Sequence, residues 1–248
     1  MVYKKRTYYK KSGSKKTSMK KMVDKQIKQV LSKELETKFI QSSVATAINL
    51  SGGAISFTSS SNPGYASFTT IPQGDNEGQR VGIRIRLKAF HLKFEVALKD
   101  GLLITNSPSS CHLRIIFFRT KEDTSDQKTT WDPSSELLRP ATALGIKNDI
   151  FAHKYHICYD KTITLINNSF WNGTAEDSGV GPKSTHISRE IIIKGKRLGS
   201  PNVIFTNDPT NNCGIGHLYG VAYPYYDSGL FTNDPVLTFN FKVLYTDA

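Results

Sequence analysis

From Val81 to Leu98, apolar and polar residues alternate with the period of a β-strand. Val81, Ile83, Ile85 and Leu87 share one parity, and Phe90, Leu92, Phe94 and Val96 share the other. The switch falls at Lys88–Ala89. A one-residue phase shift inside a strand predicts a β-bulge, in which one extra residue absorbs the slip. Further strand-like runs lie at Cys111–Arg119, Lys154–Asp160, Thr162–Ile166, Ser188–Lys194, Asn202–Phe205, Leu218–Tyr225 and Val236–Tyr245, with a weaker one at Ser67–Ile71. Pro, Gly, Asn and Asp crowd the joins and favour turns. After residue 40 the only helical hint is a short turn near Ser134–Leu138. About eight or nine strands with so few helices predict an all-β body, as a sandwich, barrel or jelly roll.

The N-terminal part follows a different pattern. Val23, Ile27, Leu31 and Leu35 recur every fourth residue, with Val30 and Phe39 beside them, which predicts a short amphipathic helix over residues 22–39. Asp24 suits the dipole at its N-terminal end, and Lys25, Lys28 and Lys33 line the opposite face. That helix is expected to dock by its apolar stripe, leaving its lysine face to extend a cationic surface. Before it, residues 1–21 hold too few apolar groups to bury and too many like charges to collapse, so a disordered arm is expected. The chain thus divides into an arm at 1–21, a helix and linker at 22–42, and a β body at 43–248.

Charge sharpens this division. The net charge is +12. Residues 1–38 carry 13 Lys/Arg against 3 acids, a net of +10, and the remaining residues carry 20 against 18, a net of +2. A neutral body with a cationic end points to a polyanionic partner. The arm's cations are Lys4, Lys5, Arg6, Lys10, Lys11, Lys15, Lys16, Lys20 and Lys21, with Tyr3, Tyr8 and Tyr9 among them. Cations neutralise phosphates while rings stack on unpaired bases, so these residues, Tyr8 and Tyr9 included, are candidates for nucleic-acid binding. Arg84 and Arg86 on the long alternating strand are candidates in the body. No apolar run reaches the roughly 20 residues of a bilayer span, and no apolar segment follows the basic start as in a secretory signal. A soluble chain made in the cytosol, without membrane contact, is the expectation.

Catalytic patterns are missing. The sequence has no phosphate loop and no GxSxG elbow. His153 and His156, three apart in a strand context, point to opposite faces and make a poor metal pair. His91 and His112 fall within strands and read as structural or surface residues. Cys111, Cys158 and Cys213 are widely spaced and odd in number, so buried free thiols are expected in place of a disulfide framework or zinc site. FTNDP occurs at Phe205–Pro209 and Phe231–Pro235 and reads as two similar Asx turns. Asp208 and Asp234 within them could in principle serve calcium, but turn chemistry accounts for both. Without a secretory signal, the sequons at Asn49, Asn167 and Asn172 are read as coincidental. The connections over 120–152 and 167–187 are long enough to carry function, such as subunit contact. Neither catalytic residues nor cofactors are expected.

Two segments resemble a known family. Residues 71–96, IPQGDNEGQRVGIRIRLKAFHLKFEV, resemble the first core strand of capsid proteins from circular, Rep-encoding single-stranded DNA viruses, the CRESS-DNA group that includes circoviruses. The similar elements are Gln73-Gly74, a short polar loop, Arg80-x-Gly82 and the alternating basic strand. Residues 151–165, FAHKYHICYDKTITL, look like that group's mid-domain segment, an aromatic-rich strand ending in Tyr-Asp-Lys, and MVYKKRTYYKK suits its arm. Circovirus arms are rich in arginine, whereas this arm has eight lysines and one arginine, and lysine offers a point charge without the bidentate fork.

The resemblance implies a single jelly roll, an eight-stranded antiparallel sandwich that self-assembles into a small icosahedral homo-oligomer. About 60 arms at +10 each would carry on the order of 600 charges toward a packaged single-stranded DNA genome. It also implies a virion location, a nuclear phase served by the lysine clusters through host import machinery, and a host receptor of unknown identity. Two other readings remain open. One is a non-assembling nucleic-acid-binding regulator or movement protein, with Arg84, Arg86 and Lys88 lining a body groove. The other is a sandwich enzyme or lectin with a basic tag. Phosphate contact alone does not separate DNA from RNA.

Overall fold

The computed structural model describes residues 19–27, 36–42, 45–50, 53–57, 67–76, 78–97, 110–123, 131–166, 186–206, 214–226 and 235–248. Its strands are β1 (Lys38–Gln41), β2 (Thr46–Asn49), β3 (Ile55–Ser56), β4 (Arg84–Ala97), β5 (Ser110–Thr120), β6 (Leu138–Arg139), β7 (Ile146–Lys147), β8 (Tyr155–Ile166), β9 (His186–Lys194), β10 (Asn202–Phe205), β11 (Gly214–Ile215), β12 (Leu218–Tyr226) and β13 (Val236–Asp247). Helix α1 covers residues 19–27, and α2 is the short Ser134–Leu137.

The strands form two main antiparallel sheets. In sheet A, β13 lies between β4 on one side and both β1 and β2 on the other, while β9 and β10 pair with the far side of β4, and β11 follows β10. Sheet B has the order β3-β12-β5-β8. The chain is all-β and antiparallel, as its alternating pattern predicts.

The inner faces of both sheets share one core. Sheet A contributes Ile85, Leu87, Phe90, Leu92, Phe94 and Val96 from β4, with Leu237, Phe239 and Val243 from β13. Sheet B contributes Cys111, Leu113, Ile115 and Phe117 from β5. Aromatic rings span the gap: Phe90 of sheet A lies 5.3 Å from Phe117 of sheet B, and Phe68 lies 4.8 Å from Phe90 and 5.8 Å from Phe117. Tilted ring pairs of this kind contribute about 0.5–1.5 kcal/mol each beyond area burial. Phe68 shows why the weak strand expected at Ser67–Ile71 is absent. Residues 68–69 form a turn, yet Phe68 and Ile71 are buried, so apolar residues there answer to the core and not to a ladder.

The bulge expected at Lys88–Ala89 is present. Leu244 pairs with Ala89 and Tyr245 with Leu87, so Lys88 is the extra residue. Upstream of it Ile85 and Leu87 face the core, and downstream Phe90, Leu92, Phe94 and Val96 do so.

Two strand boundaries differ from the sequence reading. The runs 154–160 and 162–166 form one strand, β8, with a second bulge where Cys158 is skipped between Tyr159 and Ile157. Asp160 and Lys161 look like a break in sequence. In the fold, however, Asp160 accepts two hydrogen bonds from Arg114 of β5 at 2.8 and 2.9 Å, which lets the charged residue sit within a ladder. Burial alone would raise the Asp160 carboxyl, but its bonds to Arg114 and the charge of Arg114 and Lys147 hold it below its ordinary value. The other difference concerns the helix expected over 22–39. Residues 19–27 are helical with Met22, Val23 and Ile27 exposed, while Lys38 and Phe39 belong to β1, paired with Tyr245 and Leu244. Pairing to the long strand β13 overrides helical spacing there, and the body begins before residue 43. Leu31 and Leu35 lie outside the described residues.

The central part of sheet B is buried on both faces. Its outer face packs Ile116, Phe118, Tyr219, Val221 and Tyr223 beneath Leu137, Leu138 and Ala143, with Trp131 beside them. This explains the unbroken apolar run Ile115–Phe118, all of it buried, since a strand covered on both sides needs no polar parity.

The bulge at Lys88 yields a test by deletion. With Lys88 removed, Ala89 follows Leu87 in regular alternation and both faces of β4 are kept. Removal of Lys93, from the regular part of the ladder, turns one half of β4 inside out. The Lys88-deleted chain is expected to stay soluble and unfold cooperatively in urea, whereas the Lys93-deleted chain fails to fold. Equal tolerance of both deletions would refute the register described here.

Candidate nucleic-acid interface

The outer face of sheet A is built differently from that of sheet B. Register and burial together define its rows. Phe39 of β1, Leu244 of β13, Ala89 of β4 and Lys194 of β9 form one row. Gln41, Lys242, His91 and Ile192 form the next. Asn240, Lys93 and Glu190 follow, then Thr238, Glu95 and Ser188. In the other direction along β4, Arg86 pairs with Thr246 and Asn202, and Arg84 pairs with Ile204. Arg84, Arg86, Lys93 and Lys194 are exposed, and Lys242 and His91 are half-buried. The acids of these rows, Glu95 and Glu190, lie toward the C-terminal end of β4. The end where β4 begins is therefore cationic.

Lys38 fixes where β1 begins on sheet A. Its ammonium lies 2.9 Å from the Asp247 carboxylate and donates to the Gln79 carbonyl at 3.1 Å. Lys38 pairs with Tyr245, which pairs in turn with Leu87. The chain thus enters sheet A one position from the row that holds Arg86.

Of the residues expected to bind nucleic acid, Arg84 and Arg86 lie exposed on β4, at the cationic end. Lys20 and Lys21 are exposed on helix α1. Lys4, Lys5, Arg6, Tyr8, Tyr9, Lys10, Lys11, Lys15 and Lys16 lie outside the described residues, as do Asp208, Asp234, Cys213, Asn167 and Asn172. The sequence reading missed Lys93, Lys194, Lys242, His91 and Phe39. Their spacing in the chain hides them. Only pairing across β1, β13, β4 and β9 gathers them, although the polar parity of β4 and β13 carried half of the signal.

The other conspicuous cations are structural. Arg119 is buried and donates to three carbonyls, of Gly216, Leu198 and Asn202, at 2.6, 2.8 and 2.7 Å. Burial pushes its pKa down to about 10, which still leaves it charged at neutral pH. Arg80, also buried, donates to the carbonyls of Ile71 and Gly82 and stacks 4.0 Å over the Phe205 ring. Carbonyl capture of this kind offsets the cost of burying a charge. It also leaves neither guanidinium free for phosphate.

His217 sits in the same region, fully buried, with Nδ1 3.0 Å from the Thr69 hydroxyl and its ring 4.9 Å from that of Phe205. Burial, with the charges of Arg119 and Arg80 adding to it, pushes its pKa down to about 3. Cys111 and Cys158 are buried free thiols, raised by burial to about 11 and about 12. Among the described residues no group of three or more His, Cys, Asp or Glu could hold a metal, and no helix is long and apolar enough to cross a membrane.

No family model matches the chain, and no curated protein matches it.

The buried histidine sets a pH dependence. Its folded pKa lies below the ordinary 6.5, so the unfolded chain binds the extra proton and stability falls as pH drops from 6.5 toward 3. This one group is expected to cost up to about tenfold in the folding equilibrium per pH unit. Urea midpoints measured from pH 7 to pH 4 should fall for the wild type and fall less steeply for His217→Gln. Equal slopes would remove His217 as the cause.

Proposed function

We propose that this chain is a capsid protein of the CRESS-DNA kind, which assembles into a closed shell and packages single-stranded DNA through its lysine-rich arm. The observation that carries the reading is the strand connectivity joined to the cationic sequence of the arm. Counting β1 and β2 as one position, the longer strands and their partners in the two sheets can be numbered in chain order as β1/β2, β3, β4, β5, β8, β9, β12 and β13. Sheet A then runs 1-8-3-6 and sheet B runs 2-7-4-5. With β10 and β11 of sheet A left aside, this order supports reading the body as a jelly roll, two Greek keys folded face to face, an architecture used by viral capsids and also by lectins and cupins. What favours a capsid among these is the arm. Nine cations fall in the first 21 residues, ahead of β1 in the chain.

The division of labour between the sheets supports the same reading. The middle of sheet B is covered on both sides by its own chain. Among the described residues the outer face of sheet A carries Arg84, Arg86, Lys93, Lys194 and Lys242 around the apolar side chains of Phe39 and Ile192, which suits a wall facing packaged nucleic acid. Self-assembly needs apolar contact as well, and Leu144, Ile146 and Ile150 are 67%, 78% and 66% exposed within the long connection after β5. Three aliphatic side chains held in water are a natural contact for a second copy. The partners in this reading are the DNA genome, further copies of the chain, host nuclear import machinery acting on the lysine clusters, and a host receptor. The virion and, during assembly, the host nucleus are its locations.

The same basic face would also serve a non-assembling regulator or movement protein, so particle formation is the deciding measurement. The purified chain is expected to form closed particles in negative-stain micrographs, with nuclease-protected DNA inside. A protein that stays monomeric with and without DNA at every salt concentration would overturn the proposal. Deletion of residues 1–21 should lower affinity for a 20-mer oligonucleotide by at least about 100-fold at 0.15 M salt and flatten its salt dependence. A deleted chain that packages DNA normally would show that the arm is not the packaging element.

The aliphatic contact has its own test. Leu144→Asp with Ile146→Asp is expected to abolish particles while the urea midpoint stays near wild type. Particles that persist would move the subunit contact elsewhere.

A further inference from the structure

We infer that the outer face of sheet A is a second nucleic-acid site, distinct from the arm, and that it selects single strands by stacking an unpaired base on Phe39. The inference rests on the nucleic-acid reading above and adds to it a site on the body and a preference that phosphate contact cannot supply.

Phe39 is the only aromatic ring in the rows described for this face, apart from the imidazole of His91. It is 37% exposed on β1, whereas the other phenylalanine rings of that sheet are buried or, for Phe241, packed against the core. The Lys242 ammonium lies 4.3 Å from the centre of its ring. His91 is opposite Lys242 in the register, and Ile192, 42% exposed, is opposite His91. An aromatic ring, an amine and an imidazole therefore meet on neighbouring strands, with Lys194 completing the row of Phe39. Four strands at about 4.8 Å spacing set Phe39 and Lys194 about 14 Å apart, room for a few nucleotides. Arg86 and Arg84 continue the cationic track along β4. Glu190 and Glu95 limit it on the other side.

The chemistry follows from this arrangement. A lysine held over an exposed ring is a weak contact, and a base stacked on the same ring is a stronger one. An incoming base can displace the ammonium from the ring, and the freed ammonium then meets the phosphate next to that base. A duplex offers phosphates to the lysines but keeps its bases paired and stacked inside. It cannot use the ring. The arm, reading phosphate, binds both forms, and the ring separates them.

The test uses the full-length chain with two probes, a 20-nucleotide thymidine strand and a 20-base-pair duplex, at one salt concentration. Wild type is expected to bind the single strand about tenfold more tightly than the duplex. Phe39→Ala should lose most of that preference with duplex affinity within about twofold of wild type. In Phe39→Trp the preference should persist, and the added indole emission should be quenched by the single strand and not by the duplex. A preference unchanged in Phe39→Ala, or an emission from Phe39→Trp that the single strand leaves unaltered, would overturn the stacking site while leaving arm-driven binding intact. If wild type binds neither probe in a salt-dependent way, the nucleic-acid reading fails and this inference with it.

Discussion

The structure turns on one strand with two incompatible obligations. β4 must bury Ile85, Leu87, Phe90, Leu92, Phe94 and Val96 against sheet B, and its other side must meet water. A regular strand of fourteen residues can do both only if its pattern never slips, and this pattern slips once. The extra residue at Lys88 absorbs the slip. Without such a bulge one half of the strand would drive Arg84 and Arg86 into the core. An unpaired buried charge costs several kcal/mol, a large share of the roughly 5–15 kcal/mol by which a domain is stable. The bulge therefore keeps the core dry and the two arginines in solvent. The aromatic bridge from Phe90 to Phe117 and the cationic face behind it both depend on that placement.

Burial divides the cations of the body into two kinds. Arg119 and Arg80 are enclosed and captured by carbonyls, and in that setting their charge holds loops in place. Asp160 and Arg114 form a similar fixed pair on sheet B. The cations of sheet A's outer face have few such partners. An exposed ammonium or guanidinium contributes little to folding, since surface ion pairs are worth about 0–1 kcal/mol. Folding alone gives little reason to collect Arg84, Arg86, Lys93, Lys194 and Lys242 on one sheet face, whereas a polyanionic ligand gives a direct one. Net charge could not make this distinction. Residues 39–248 balance to +2, and only the fold separates captured cations from available ones.

Much of the fold was legible because one face of sheet A is wet. Alternation along β4 and β13 gave both strands and the bulge between them, with ends correct to within a few residues. Legibility failed where another constraint outranked local pattern. Lys38 and Phe39 read as the end of a helix, yet the open edge of β13 claimed them. Asp160 and Lys161 read as a break between two strands, because the neutralising Arg114 lies on another strand and is invisible at that point in the chain. The short strands β2, β3, β6, β7 and β11 have too few residues to show a period at all. The candidate site was half legible. Arg84 and Arg86 could be named because they share a strand, whereas Phe39, His91, Lys93, Lys194 and Lys242 come together only through register.

In the reading proposed above, Phe39 changes what the arm must do. An arm that reads only phosphate gains affinity from the number of its lysines and is indifferent to which polyanion it meets. Discrimination then has to come from somewhere rigid, because a ring can choose between a free base and a paired one only if its position is held. β1 supplies that rigidity: it is pinned by its ladder to β13 and by the bond from Lys38 to Asp247. The arm and β1 belong to one chain, so in that reading binding by the arm would raise the local concentration of nucleic acid for a site on the sheet. Affinity and selectivity are then divided between a cationic tail and a fixed sheet. Repetition of the pair around an assembly would multiply both, since each modest stacking preference adds to the next along one continuous strand.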